Sequence, residues 1–142
     1  MLNDQEIEVF NSNEYYGLQA LAAAWEATQY SEDIYTSTSL HNGNGDAYRH
    51  IMWNALMKKY TTSTYAKQFA AAHENGSTGQ PAIEKQMDLY NNSVGRGITL
   101  VGSNLELKLD ALAKVGSKVD DGYGKRISST GTLIVTNSTG KK

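Results

Sequence analysis

The chain is predicted to fold as a mainly α-helical bundle of five or six helices with a small β-hairpin at its C-terminal end. Three features of its 142 residues support this. Apolar residues recur at helical spacing in successive segments between Asp4 and Val115. Clusters of Gly, Ser, Thr and Asn separate those segments. After Asp120-Asp-Gly-Tyr-Gly the pattern changes to β-branched residues on either side of a turn signal. The length suits one core, so residues 1–142 are read as a single domain.

Each element has its own signal. Asn3 or Asp4 caps a short helix with Ile7 and Phe10 on one side, stopping near Asn11-Ser12-Asn13. Glu14 to about Tyr30 follows, with Leu18, Leu21, Ala22, Trp25 and Thr28 at helical spacing and Trp25 expected in the core. Ser31 to Gly45 reads as a loop that delivers His41. Asp46 to Lys59 is a helix with Ala47, Ile51, Ala55 and Leu56 on one side and a polar stripe on another, and both sides are expected to be buried. The Thr/Ser run from Thr61 caps the next helix, which places Tyr65, Phe69 and Ala72 or His73 along one line. It ends at Glu74, before the stop signal Asn75-Gly76. Pro81 suits the first turn of a helix with Ile83, Met87, Tyr90 and Val94 on its apolar side, ended or bent at Gly95-Arg-Gly97. Ser103-Asn104 caps a last helix that turns Leu105, Leu109, Leu112 and Ala113 or Val115 to the core and ends at Gly116 or a little beyond. A hairpin at about 123–137 turns at Ser129-Thr130-Gly131, and Gly140-Lys-Lys is a frayed tail. The pairs Lys58-Lys59 and Lys141-Lys142 read as solvated charge.

Composition excludes several classes. A net charge of -2 and a pI near 5.9 give no basic footprint for wholesale binding to a nucleic-acid backbone. Without cysteine there is neither a disulfide framework nor thiolate zinc ligation, so a metal would take His, Asp, Glu or carbonyl oxygen. No apolar stretch approaches the roughly 18 residues that span a bilayer, so no stable membrane insertion is expected. The acidic, amphipathic start Met1 to Glu8 does not read as a signal peptide.

The chemistry concentrates in three places. Asp46, Arg49, His50, Trp53, Asn54 and Met57 fall on one helical face. Asp88, Asn91, Asn92, Gly95 and Arg96 repeat that spacing, and His73-Glu74 lies between the two stripes. Burying so polar a face is costly unless its groups satisfy one another or face a cleft, a metal or a substrate. One reading is a divalent metal, zinc, calcium or magnesium, held by His41, Asp46 and His50. A second is metal-free: a histidine base oriented by Asp46 or Asp88, with Arg49 or Arg96 stabilising negative charge on a phosphate or carbonyl oxygen. A third is a structural network that specifies helix packing. Trp53 reads as core first and as a substrate-stacking surface second. His73 at a helix end can interact simply with exposed carbonyls. Asn91-Asn92 in mid-helix costs a few tenths of a kcal/mol per residue, so at least one amide is expected to make a bond or bind a ligand.

These residues form the blocks Asp-Ala-x-Arg-His-x-x-Trp-Asn-Ala-Leu-Met (Asp46 to Met57), Ala-x-x-Phe-x-x-x-His-Glu (Ala66 to Glu74) and Met-Asp-Leu-x-Asn-Asn-x-x-Gly-Arg (Met87 to Arg96). The chain from about His41 to Ile98 thereby resembles an uncharacterised bacterial domain family found in secreted or surface proteins, often as the C-terminal module of toxin-like chains. The resemblance implies an effector or hydrolase domain delivered by other segments, in a secreted bacterial or phage protein, with a cognate immunity protein as partner. The Arg-His pair is also similar to secreted phospholipases, whose catalytic histidine is followed by an aspartate. Here Ile51 follows His50, and the cysteines and glycine-rich calcium loop are absent.

The expected function is therefore a toxin-like or secreted hydrolase acting on a phosphoester or related ester in a small-molecule, lipid or nucleotide substrate. His50, Asp46, Arg49, Asp88, His73 and Arg96 are its expected catalytic residues, and Trp53, Asn54, Asn91, Asn92 and Glu74 its substrate contacts. The alternative is a non-catalytic binding or interaction module with a buried polar network.

Overall fold

A helix buried on every side needs neighbours on every side, and α3 (Asn44–Tyr60) is such a helix: from Asn44 to Met57 every residue except Arg49 is buried. The computed structural model describes residues 1–142. It arranges α1 (Asp4–Ser12), α2 (Glu14–Ile34), α4 (Ser63–Asn75), α5 (Ala82–Arg96) and α6 (Asn104–Asp120) around α3, with a 3-10 turn at Ser37–Leu40 and a hairpin of β1 (Lys125–Ile127) and β2 (Leu133–Val135). Packing on α3 comes from α2, α4, α5 and α6, while α1 packs on α2 and α4. The expected mainly helical class and C-terminal hairpin are present.

Caps set the helix starts. The Asn3 side chain accepts from the Glu6 N–H at 2.8 Å while the Asn3 N–H donates to Glu6 Oε1 at 3.0 Å, a reciprocal box that opens α1. Asn13 accepts from Tyr16 to open α2, and Thr62 accepts from Tyr65 to open α4.

The core corrects the sequence reading of two helices. Gly17, Ala20, Ala23, Ala27 and Ser31 are the buried face of α2, whereas Leu18 and Trp25 stand 59% and 67% exposed. In α6, Ala111, Val115 and Val119 are buried and Leu105 and Leu109 point outward. Small side chains let α2 come close to α3, so Leu18 and Trp25 lie on the outer surface, while in α6 Leu112 and Val115 keep the expected inward side. Most of the large side chains of the core come from α3 and α4, where Ile51, Met52, Leu56, Met57 and Phe69 are at most 1% exposed, joined by Tyr35 and by Met87 of α5. Burial of each Ile, Leu, Met or Phe among them contributes about 1.5–3 kcal/mol.

Boundaries also move. The α2 helix continues to Ile34, a turn past the expected Tyr30; α3 begins at Asn44; and α6 runs to Asp120. Nor is the C-terminus frayed. The Lys142 N–H donates to Ile34 O at 2.9 Å, the Thr36 N–H donates to Gly140 O at 2.8 Å, and Lys141 Nζ meets Asp120 Oδ1 at 2.8 Å. The tail supplies backbone partners to the segment leaving α2, which a charge pattern alone does not reveal.

The hairpin is antiparallel, with Arg126 opposite Ile134, and its turn uses Gly131 at φ 81°. It is fastened to α5 by one amide, because Asn91 Nδ2 donates to Lys125 O at 2.9 Å and Asn91 Oδ1 accepts the Lys125 N–H at 2.8 Å. No helix is long and apolar enough to cross a membrane.

Candidate functional site

The first turn of α3 places Asp46. Its Oδ1 accepts from Arg49 Nη2 at 2.7 Å, and its Oδ2 accepts the backbone N–H of Asn42, a residue held at φ 65°, at 2.8 Å. One turn later the His50 ring lies with Nδ1 3.0 Å from the Asp46 carbonyl and 3.2 Å from Asp46 Oδ1. A nitrogen facing two acceptors carries the proton, so Nδ1–H donates. On the other side of the ring, Nε2 faces Asp88 Oδ1 of α5 at 3.4 Å and Glu74 Oε1 of α4 at 3.8 Å. These two carboxyl oxygens are buried without a hydrogen-bond partner, whereas Asp88 Oδ2 accepts from Gln80 Nε2 at 2.8 Å.

The charges follow from this packing. Burial pushes the Asp46 carboxyl up, but the hydrogen bond from His50 and the positive charges of His50 and Arg49 outweigh it and hold its pKa well below the usual range. Burial pulls His50 down, yet its bond to Asp46 and the negative charges of Asp88 and Asp46 leave its pKa raised. Glu74 is pushed up to about 7, first by burial and then by the adjoining Asp88 carboxyl. Asp88 is raised as well, with burial foremost and the Asp46 charge adding to it.

His73 does not enter this cluster. Its ring is half exposed, and Nδ1 lies 3.2 Å from Oε2 of Glu6, a buried acid of α1 that the sequence reading did not single out. The capping box fixes Glu6 in place, and Asn3 Nδ2 donates to Ala72 O at 3.1 Å, tying the start of α1 to the end of α4. Nε2 of His73 is 4.0 Å from Glu74 Oε1, and the ring packs edge-on to Trp53 with centroids 5.5 Å apart. Trp53 is core and wall at once: it is 7% exposed, and its Nε1–H donates to Ala20 O at 3.2 Å.

These groups meet at a pocket of about 410 Å³. Met1, Leu2, Leu21, Ala24, Trp53 and Phe69 form its apolar walls, and Glu6, Thr28, Arg49, His50 and His73 its polar ones. A concave apolar site with a few convergent polar groups is a typical ligand site.

The other motif residues go elsewhere. His41 is exposed, with its Nε2 3.3 Å from the neighbouring Asn42 amide, and does not join the cluster. Asn54 donates to His50 O and to Asn92 Oδ1, and its own Oδ1 accepts from Arg96 Nη1 at 3.0 Å. Arg96 thus braces α5 on α3 and is not a pocket residue. Asn91 holds the hairpin. Gly95 lets the helices touch, since a Cβ there would collide with Ile51 O.

Glu6, Gln80 and Asn42 were missed in the sequence. Only Glu6 left a local signal, the Asn3-x-x-Glu6 spacing of a capping box, and nothing local shows that its second oxygen reaches α4.

A family described as a domain of unknown function, DUF6973, matches residues 7–122. The chain belongs to the DUF6973 family. The match takes in His50, His73, Glu74 and Asp88 and leaves Met1, Leu2, Glu6 and the hairpin outside it. No solved structure matches the chain.

Proposed function

We propose that this DUF6973 domain hydrolyses an ester or phosphoester that carries an apolar group. The observation behind this reading is that His73, backed at Nδ1 by the buried Glu6 carboxylate, opens with Arg49 into one apolar-walled pocket. The walls hold the apolar part of the substrate. His73 Nε2 takes a proton from water, whose oxygen attacks the carbonyl carbon or phosphorus. The ester bond breaks, and the departing alkoxide takes the proton from His73 as the acid is released. Arg49, half exposed beside Asp46, stabilises the charge that develops on the non-bridging oxygen. His50 is the poorer base, because its ring is buried and its Nε2 faces Asp88 and Glu74 at 3.4 and 3.8 Å, whereas the His73 ring is half exposed.

Aryl esters from acetate to decanoate and a bis-aryl phosphodiester test this. Turnover is expected in at least one series and is expected to fall on the order of 10²–10⁴-fold in His73→Ala. Binding of an apolar ligand without turnover of any of these would move the domain to the non-catalytic class. An effector role belongs to the same reading and is supported by the resemblance to modules of toxin-like chains. It predicts that intracellular expression of the wild type arrests growth, that His73→Ala does not, and that a cognate immunity protein restores growth. Equal growth of both would contradict it.

A further inference from the structure

Behind the pocket wall to which His50 contributes, the buried cluster between α3, α4 and α5 has a geometry that its own hydrogen bonds do not explain. Glu74 and Asp88 are 2% and 6% exposed, and Oε1 of the first and Oδ1 of the second have no hydrogen-bond partner. Both are turned toward His50 Nε2, at 3.8 and 3.4 Å. A charge-assisted N–H···O bond spans about 2.7–2.9 Å, so these contacts are too long to be one. Bonds of about 2.1 Å from a central ion at roughly tetrahedral angles would put neighbouring donor atoms about 3.4 Å apart.

We propose that His50 Nε2, Glu74 Oε1 and Asp88 Oδ1 form a binding site for one divalent first-row transition cation of the zinc or manganese type. Asp46 is not a ligand, because Arg49 and the Asn42 N–H occupy its two oxygens. It holds Nδ1–H of His50 and thereby leaves Nε2 as the lone-pair nitrogen, the role of the carboxylate in a carboxylate–histidine–metal arrangement. Calcium is disfavoured, since it takes six to eight oxygens and this set offers one imidazole and two carboxyls. The competing occupant is a proton shared by the adjoining Glu74 and Asp88 carboxyls. The site does not depend on the hydrolase reading, so its test reads binding alone.

Chelator-treated, desalted wild type would be titrated with Co²⁺ and followed by visible absorption, with Zn²⁺ as competitor. The expected result is a saturable ligand-field spectrum at one equivalent, bleached by one equivalent of Zn²⁺. Glu74→Gln and Asp88→Asn are expected to abolish it, and Asp46→Asn to weaken Co²⁺ binding by about 10–100-fold. The exposed His41→Ala is expected to leave it unchanged. No saturable spectrum in the folded wild type would overturn the proposal without recourse to any variant. A spectrum lost only in His41→Ala would overturn it too.

Discussion

Glu74 is the residue on which the protonation of the metal-free cluster turns. Its carboxyl is raised from 4.5 to about 7, by burial first and by the Asp88 charge second. The folded state therefore binds that proton more tightly than the unfolded chain does. The stabilisation is complete below about 4.5 and is lost as pH rises through about 7. His50, also raised, has the same sign, its share being present below about 6.5 and lost at higher pH. Asp46, held low, has the opposite sign and loses its contribution only as pH falls below the ordinary carboxyl range. In chelator, the wild type is expected to melt several degrees lower at pH 8 than at pH 5, and Glu74→Gln is expected to shrink that difference. Parallel melting curves for the two proteins would contradict this assignment. At this scale the sequence showed which side chains are unusual, because an acid, an arginine, a histidine and an amide on one helical face stand out. It did not show their pairing. Glu6 and His73 meet across 67 positions, and no local spacing encodes that contact.

At the scale of elements, the hydrophobic period located the helices, misassigned the face of α2 and placed α6 only in part, since Leu112 and Val115 pack inward while Leu105 and Leu109 do not. An amphipathic pattern identifies a stripe of large apolar residues, but α2 approaches α3 with Gly17, Ala20, Ala23 and Ala27, which the pattern scores as neutral. The close contact between α3 and α5 has the same origin and yields a paired prediction. Gly95→Ala drives a methyl into Ile51 O and is expected to cost about 1–3 kcal/mol or more. Gly116→Ala in α6 meets nothing within 4 Å and is expected to stabilise by about 0.5–1 kcal/mol through backbone entropy. Chemical denaturation of both variants checks the pair, and equal shifts would mean that α5 does not lie on α3 as described. The hairpin was legible because β-branched residues flank a Gly turn. Its anchor was not, since Asn91 looked like a substrate residue until its amide was seen paired with the Lys125 backbone.

Over the whole molecule, the bundle separates its two indoles: Trp25 is 67% exposed and Trp53 is 7% exposed. Iodide is expected to quench only the Trp25 share of the fluorescence, and an apolar pocket ligand to perturb only the Trp53 share. Quenching of both alike would mean that the pocket wall is not formed. The polar motif also divides between two roles across the molecule. Asn54, Asn91, Asn92 and Arg96 brace α3, α5 and the hairpin, while Glu6, Arg49 and His73 gather at the pocket. That division is the central claim, and measuring turnover and melting temperature together on His73→Ala and Asn54→Ala tests it most directly. His73→Ala is expected to lose turnover even in its folded fraction, and to lose about 1–3 kcal/mol of stability because Oε2 of the buried Glu6 is left without its partner. Asn54→Ala leaves Arg96 and Asn92 without a buried partner and is expected to lose about 2–3 kcal/mol of stability while the folded fraction keeps its turnover. A folded His73→Ala protein that retains full turnover, or a folded Asn54→Ala protein that has lost it, would contradict the account.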